Sequence, residues 1–123
     1  CELLVGITRD NIGIFTVTIA MGGILTELLN KNNASFQVLT LPTNLKEIEH
    51  SLANLPIAPL FEGYRGLPKI SKLKTAKTIK KLCDIPERYI EDLIEIEVNP
   101  LIISEKNVTA ADAQIHKKIL KEI

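Results

Sequence analysis

Glu97, Asn99 and Asp112 are the residues whose types and spacing best fit metal-binding chemistry. In a strand, residues 97 and 99 face the same side, because side chains alternate with a period of two. A returning strand over 108–115 would bring Asp112 beside them. The apolar residues on the opposite side, Val98, Ile102, Ala111 and Ala113, would then face the core. Carboxylate and amide oxygens suit a hard cation such as Mg²⁺, whose remaining ligands are phosphate and water. Three polar residues on a solvated sheet face are also ordinary, so the pattern leaves both interpretations open.

Two glycine-containing segments are candidates for contact with an anion. Arg65 lies in a Gly-Tyr-Arg-Gly sequence before a predicted helix. Glycines on both sides would let the backbone and the guanidinium approach a phosphate closely. Gly22 and Gly23 follow an apolar run, with Glu27 four residues further along. Considered alone, each segment is also explained as a plain turn.

Other chemistries find little support in the sequence. His50 and His116 have no cysteine or second histidine at metal-ligand spacing, which argues against zinc. Six lysines between 69 and 81 suggest an acidic partner, but no aromatic residues interleave with them. With 15 basic and 15 acidic residues and 4% aromatics, the chain is a poor candidate for binding nucleic acid. The lysine run is therefore interpreted as the solvated face of a helix.

The elements that must position the candidate residues are short strands and two main helices. Asn44 or Thr43 can cap the first helix, and Pro56 and Pro59 are expected to end it. The second helix follows Pro68, and its apolar side is predicted to carry Ile70, Leu73, Ile79 and Leu82. A short helical turn is predicted from Pro86, and the last residues, 116–123, are interpreted as a helix or a frayed tail. The pattern predicts an α+β fold, a mostly antiparallel sheet with helices on one face. The predicted strands are Leu3–Thr8, Ile14–Ala20, Ile24–Leu29, Ala34–Leu41, Ile94–Ser104 and Val108–Ile115.

Length and composition limit the organisation of the chain. Its 123 residues, 46% of them hydrophobic, predict a single domain over 1–123 with a real core. Two cysteines are too few for a disulfide framework, and no apolar run has the roughly 18 residues of a membrane span. We therefore expect a cytoplasmic protein that acts away from membranes. The chain begins within a predicted strand and lacks an initiator methionine, so we also expect it to be part of a longer protein.

The motifs occur in an order that resembles the C-terminal half of the ATP-grasp domain of NDP-forming acyl-CoA synthetases. This group includes ADP-forming acetate–CoA ligase and is related to the β subunit of succinyl-CoA synthetase. The resemblance extends from residue 2 to about residue 115. It rests on Glu2-Leu-Leu-Val-Gly-Ile-Thr-Arg-Asp10, Ala20-Met-Gly-Gly-Ile-Leu-Thr-Glu27, Leu60-Phe-Glu-Gly-Tyr-Arg-Gly66, Glu97-Val-Asn-Pro-Leu-Ile-Ile103 and Ala110-Ala-Asp-Ala113.

The resemblance implies roles for individual residues. Asn99 and Asp112 would hold Mg²⁺ at the phosphates of ATP or ADP, and Glu97 would lie beside the transferring phosphoryl group. Arg65 would contact the phosphate or a phosphohistidine, as would the glycine segment that contains Gly22, Gly23 and Glu27. Three positions depart from the family pattern: Asn11-Ile-Gly-Ile-Phe15 replaces Phe-Gly-Pro, Ala20 replaces a glycine, and Gln114 stands where the family often has arginine.

The resemblance also implies partners. An ATP-grasp domain binds nucleotide between two halves, so the N-terminal half, the CoA-binding domain and the phosphohistidine domain would lie elsewhere in the parent protein, and this chain alone would be inactive. The acyl substrate, the nucleotide preference and the oligomeric state are left open. Two alternatives remain: the ATP-grasp portion of a fused protein acetyltransferase, and a non-catalytic interaction module that retains the fold.

Overall fold

A computed structural model describes residues 1–22 and 36–118 of the chain. The predicted strand Ile24–Leu29, together with Gly23 and Glu27, lies outside these residues. The described strands are β1 (Glu2–Arg9), β2 (Phe15–Met21), β3 (Phe36–Thr40), β4 (Leu93–Ile103), β5 (Val108–Ala110) and β6 (Ala113–Lys117). The described helices are α1 (Leu45–Ala53), α2 (Ala58–Glu62), α3 (Lys72–Cys83) and α4 (Ile85–Arg88).

The strands form one antiparallel sheet in the order β3-β2-β1-β4-β5, and β6 also pairs with β4. Asp10 shapes the turn between β1 and β2, because its Oδ1 accepts hydrogen bonds from the backbone N–H groups of Ile12 and Ile14 at 3.0 and 2.9 Å. Gly13, with φ of 91°, supplies the left-handed position of that turn. The predicted α+β class and antiparallel sheet are confirmed.

Helices α1 and α3 start at side-chain caps. Asn44 Oδ1 accepts from the backbone N–H of Glu47 at 2.9 Å, and Ser71 Oγ accepts from that of Lys74 at 3.1 Å. Thr43 donates instead to the Glu47 carboxylate at 2.6 Å, so Asn44 is the cap and Thr43 supports it. Pro56 and Pro59 were predicted to end α1; α1 ends at Ala53, before both, and Pro59 lies in the first turn of a separate helix, α2.

The core lies between one face of the sheet and the helices. Alternate residues of β1, β2 and β4 are buried against the inner sides of α1 and α3, where Ile48, Leu52, Ala76 and Ile79 are fully buried. Leu73, predicted on the buried side of α3, is instead 48% exposed. The buried side of α3 consists of Thr75, Ala76, Ile79 and Cys83, and Leu73 lies about a quarter-turn around the helix from the centre of that side. The buried strand residues are Leu3, Val5, Ile7, Phe15, Val17, Ile19, Leu93, Ile96, Val98, Leu101 and Ile103.

A bulge in β4 changes which side chains face the core. Val5 pairs with Val98 and Leu3 pairs with Leu101. Between these two pairs β4 advances by three residues and β1 by only two, so β4 contains one extra residue. Ile102 was expected in the core by strict alternation, but the extra residue turns it to the other face, where it is 38% exposed.

The C-terminal strands also differ from their predicted form. The expected strand Val108–Ile115 is divided into β5 and β6 by Ala111 and Asp112. Ala111 and Ala113, expected in the core, are exposed. Strand β6 continues through Lys117, so the prediction of a helix or frayed tail is wrong for residues 116 and 117.

Candidate functional site

The sheet face opposite the helices, here called the open face, carries the candidate site. The side chains on this face alternate along each strand with the buried core residues, and no described helix packs against it. The strand register arranges them in cross-strand rows. One row is Thr40, Thr16, Thr8, Glu95 and His116, and the next is Val38, Thr18, Gly6, Glu97 and Gln114.

Three residues predicted from the sequence meet on this face. Glu97, Asn99 and Asp112, together with Gln114, line one pocket of about 130 Å³. Glu97 is half-buried, and the other three are exposed. Two backbone hydrogen bonds hold the strands together here: Asn99 N–H donates to Asp112 O at 3.1 Å, and Ala111 N–H donates to Pro100 O at 3.0 Å. The break between β5 and β6 therefore places Asp112 beside Asn99.

The pocket has the donor chemistry of a hard-cation site. Two carboxylates and two side-chain amides supply oxygen atoms, which are the ligands that Mg²⁺ prefers. Within residues 1–22 and 36–118, no group of three His, Cys, Asp or Glu side chains is arranged to hold a metal ion. A cation bound here would therefore need an amide oxygen, such as that of Asn99, and oxygens from its ligand in addition to the two carboxylates. The residues present fit such a shared site.

Gly22 has a structural role at the end of β2. Its N–H donates to Glu2 O at 2.9 Å, and a Cβ atom added to it would lie 2.7 Å from the backbone carbon of Leu3. Only glycine permits this close approach of two strands. Glu2 pairs with Ile102, so Gly22 lies beyond the row of Asn99 towards one end of the sheet. Whether the glycine segment also contacts phosphate stays a prediction, and Gly23 and Glu27 lie outside the described residues.

Arg65 occupies the loop between α2 and α3. It adopts a left-handed conformation with φ of 47°, between Gly63 and Gly66 with φ of 86° and 77°. Its guanidinium lies over the Tyr64 ring, 5.2 Å from the ring centroid. Arg65 is not among the residues that line the Glu97 pocket. Its contact with a phosphoryl group stays a prediction.

Sequence reasoning did not assign Gln114 or His116 to the site. Gln114 lines the pocket opposite Glu97, and His116 Nδ1 lies 3.2 Å from Glu95 Oε2 in the adjoining row. The signal was present in the alternation of residues 112, 114 and 116, which puts all three side chains on one face once β6 is recognised as a strand.

None of the helices within the described ranges is both long and apolar enough to cross a membrane.

The chain is similar in sequence to known proteins. A model of the ATP-grasp domain matches residues 1–116. The ADP-forming acetate–CoA ligase II of Archaeoglobus fulgidus is 27% identical over 114 residues, which are 93% of this chain and 16% of the ligase.

Solved structures share the fold. Acetyl-coenzyme A synthetase 1 of Candidatus Korarchaeum cryptofilum, in complex with coenzyme A and Mg-AMPPCP, superposes with a TM-score of 0.82 at 23% identity, over 95% of this chain and 53% of that one. PH1788 of Pyrococcus horikoshii superposes with a TM-score of 0.81 at 17% identity, over 95% of this chain and 48% of that one. The chain thus spans about half of these structures and a sixth of the Archaeoglobus ligase.

Proposed function

The chain belongs to the ATP-grasp family, and on that premise we propose that it is one half of the nucleotide-binding domain of an ADP-forming acyl-CoA synthetase. In this proposal the open face binds the phosphates of ATP or ADP together with Mg²⁺. The acyl-CoA chemistry is that of the curated relative, an acetate–CoA ligase. The observation that carries the proposal is the convergence of Glu97, Asn99, Asp112 and Gln114 on one pocket of the open face.

The position of the pocket suits a ligand held between two bodies. All four side chains belong to two antiparallel strands, β4 and β6, or to the residue that precedes β6. The sheet that holds them is fixed from behind by the packed core, so the oxygens are preorganised and the open side remains accessible. A partner half that faces the open face would complete the ligand shell and exclude water.

Each residue has a role in this proposal. Asn99 and Asp112 hold Mg²⁺, which when bound neutralises phosphate charge during phosphoryl transfer. Glu97, half-buried in the sheet, lies beside the transferring phosphoryl group. Arg65 and the glycine segment bind phosphate or a phosphohistidine that approaches from another domain. Positioning and charge neutralisation are the main requirements of phosphoryl transfer, and this arrangement can supply both.

The remaining parts of the reaction are proposed to lie outside this chain. Neither His50 nor His116 lies in a motif that matches the phosphorylated histidine, so that residue would belong to another domain. The N-terminal half of the ATP-grasp domain would supply the rest of the nucleotide pocket. The short span of this chain relative to the Archaeoglobus ligase, 16% of its length, supports such a division.

The test is calorimetric titration of Mg-ADP into the full-length protein, comparing wild type with Asp112→Asn. The substitution keeps the shape of the side chain and removes its charge, so we expect affinity to fall by about 10- to 100-fold, since a charged contact is worth roughly 1.5–3 kcal/mol. Asp92→Asn is the matched control, because Asp92 is exposed and does not line the pocket.

Each outcome decides one point. Binding that Asp112→Asn weakens and Asp92→Asn leaves intact supports the site. Binding that is equal in all three proteins removes Asp112 from it. A folded full-length protein that binds neither Mg-ADP nor Mg-ATP would favour the non-catalytic interaction module.

A further inference from the structure

Gly6 stands at an unusual place for a glycine. It lies in the middle of β1, which is hydrogen-bonded to β2 on one side and β4 on the other, with Thr18 and Glu97 as its direct cross-strand partners. Glycine weakens a strand interior, because it offers no side chain to pack and has the most backbone freedom to lose on folding. A glycine in a central strand therefore requires a specific reason.

The described part of the chain provides no internal reason. Gly6 does not have a positive φ, and a Cβ atom added to it would meet only Leu4 Cδ2, at an ordinary contact distance of 3.7 Å. Gly22 is the contrasting case, since a Cβ there would collide with the backbone of Leu3 at 2.7 Å. Gly13 differs again, because its φ of 91° disfavours other residues. Of these three glycines, Gly6 alone could be alanine as far as the described chain is concerned.

The missing side chain leaves a gap beside the candidate site. Directly paired residues in an antiparallel sheet have side chains on the same face, with Cβ atoms about 5 Å apart. Gly6 therefore forms a low floor between the hydroxyl of Thr18 and the carboxylate of Glu97, and Glu97 lines the oxygen-rich pocket. A group above this floor can touch the β1 backbone and reach the pocket at the same time.

We propose that Gly6 is a positioning residue whose lack of a side chain admits a phosphoryl group to the open face beside Glu97. This inference rests on the proposed nucleotide function and extends it to a residue outside the metal-binding set. The phosphoryl group belongs either to the nucleotide or to a phosphorylated side chain delivered from another domain. Both sources present the same tetrahedral oxygens to the floor, and a methyl group at residue 6 would obstruct both.

The test is Gly6→Ala in the full-length protein, with melting temperature, Mg-ADP affinity and phosphoryl transfer from acyl phosphate to ADP measured together. We expect a melting temperature equal to or above that of wild type, because the new methyl group has room and alanine loses less backbone freedom on folding. We expect at least a 10-fold loss of Mg-ADP affinity or of transfer rate. Gly6→Val, with its larger side chain, should lose more if it folds.

Ala110→Val is the matched control for added bulk, since Ala110 is an exposed strand residue in β5 that does not line the pocket. It should bind and react like wild type. The two readouts distinguish the sources: weakened Mg-ADP affinity assigns the floor to the nucleotide, and slower transfer with unchanged affinity assigns it to the phosphorylated side chain.

Two results would overturn the inference. If the Mg-ADP affinity and the phosphoryl-transfer rate of Gly6→Ala are within twofold of wild type, the space above Gly6 is not occupied by a phosphoryl group in the reaction. If Gly6→Ala instead melts well below wild type, the fold itself requires the glycine. Because Asp112→Asn is measured in the same assay, an unaffected Gly6→Ala with a weakened Asp112→Asn would reject this inference alone. Equal binding by wild type and Asp112→Asn would count against the proposed metal site.

Discussion

The open face and the outer side of α3 are two polar regions of the described structure, and they differ in composition. Helix α3, Lys72–Cys83, contains five lysines and no acidic residues. The polar residues of the open face instead include carboxylates, amides and threonine hydroxyls, and four of them meet at one pocket.

The contrast shows that polar residues brought together from separate segments indicate a binding site better than a high local charge does. The α3 lysines project from a helix whose other side is buried. Lys80 pairs with Asp84 one turn along the helix, and Lys74 Nζ donates to Lys106 O, in the turn between β4 and β5, at 3.3 Å. A solvated helix face accounts for them. The pocket residues come from strands that are separate in sequence, and the fold brings their oxygen atoms together.

Thiol labelling should show that the side of α3 that faces the core excludes solvent. Burial raises the pKa of Cys83 to about 12 from its ordinary value of 9.0, so at equal pH its thiolate fraction falls roughly 1,000-fold. In a Cys1→Ser variant we expect Cys83 to resist maleimide until the protein unfolds, whereas exposed Cys1 in Cys83→Ala reacts at once. Rapid labelling of Cys83 in the folded protein would show that α3 moves away from the core and exposes the thiol.

The raised pKa of Cys83 also makes the stability of the fold depend on pH. Between about pH 9 and 12 the unfolded chain releases the Cys83 proton while the folded chain keeps it, so stability falls as pH rises through this range. Cys83→Ala should flatten that fall, which urea titrations at several pH values would measure.

Adjacent isoleucines in β4 should differ sharply in their effect on stability. Ile103 is 2% exposed in the core, and Ile102 is 38% exposed on the other side of the sheet. We expect Ile103→Ala to lower the free energy of unfolding by about 2–5 kcal/mol and Ile102→Ala by less than about 1 kcal/mol. Urea denaturation measures both. Equal losses would mean that the β4 bulge does not reverse the alternation.

Removing charge from the pocket should affect binding and leave stability nearly unchanged. For Asp112→Asn we expect the 10- to 100-fold loss of Mg-ADP affinity derived above, with an unfolding free energy within about 0.5 kcal/mol of wild type, because Asp112 is exposed. A large loss of stability would instead make Asp112 a structural residue.

The cap of α1 should make a modest local contribution. Asn44→Ala removes the acceptor for Glu47 N–H, and we expect the free energy of unfolding to fall by about 1 kcal/mol. Asn44→Ser should recover most of that loss, because serine also caps well. If serine and alanine are equally destabilising, the cap bond does not matter.

Neutralising the lysine face should have the smallest effect. In Lys77→Gln/Lys81→Gln we expect a change in unfolding free energy below about 0.5 kcal/mol and no change in Mg-ADP affinity, because both side chains are exposed and make no ion pair in the described structure. A loss of affinity as large as that of Asp112→Asn would remove the distinction between the two regions.

Local patterns in the sequence were sufficient for much of the fold. The Asn44 cap and the period-two strands depend on neighbouring residues, so they predicted most elements to within a few positions. The same local rule predicted that Glu97 and Asn99 share a face with Asp112. It failed at Ile102 and Leu73, where an extra strand residue and the helix phase set by packing decide burial.

What the sequence determined, then, is the identity and order of the polar residues and the strands that carry them, because alternation and capping act over a few residues. The tertiary structure alone decided where β4 bulges, that the chain breaks between β5 and β6 at Asp112, and that Gly6 lies beside Glu97. These features depend on the strand register between distant segments; Gly6 and Glu97, for example, are 91 positions apart. Register follows from the burial of a whole face against the helices, which no single segment encodes.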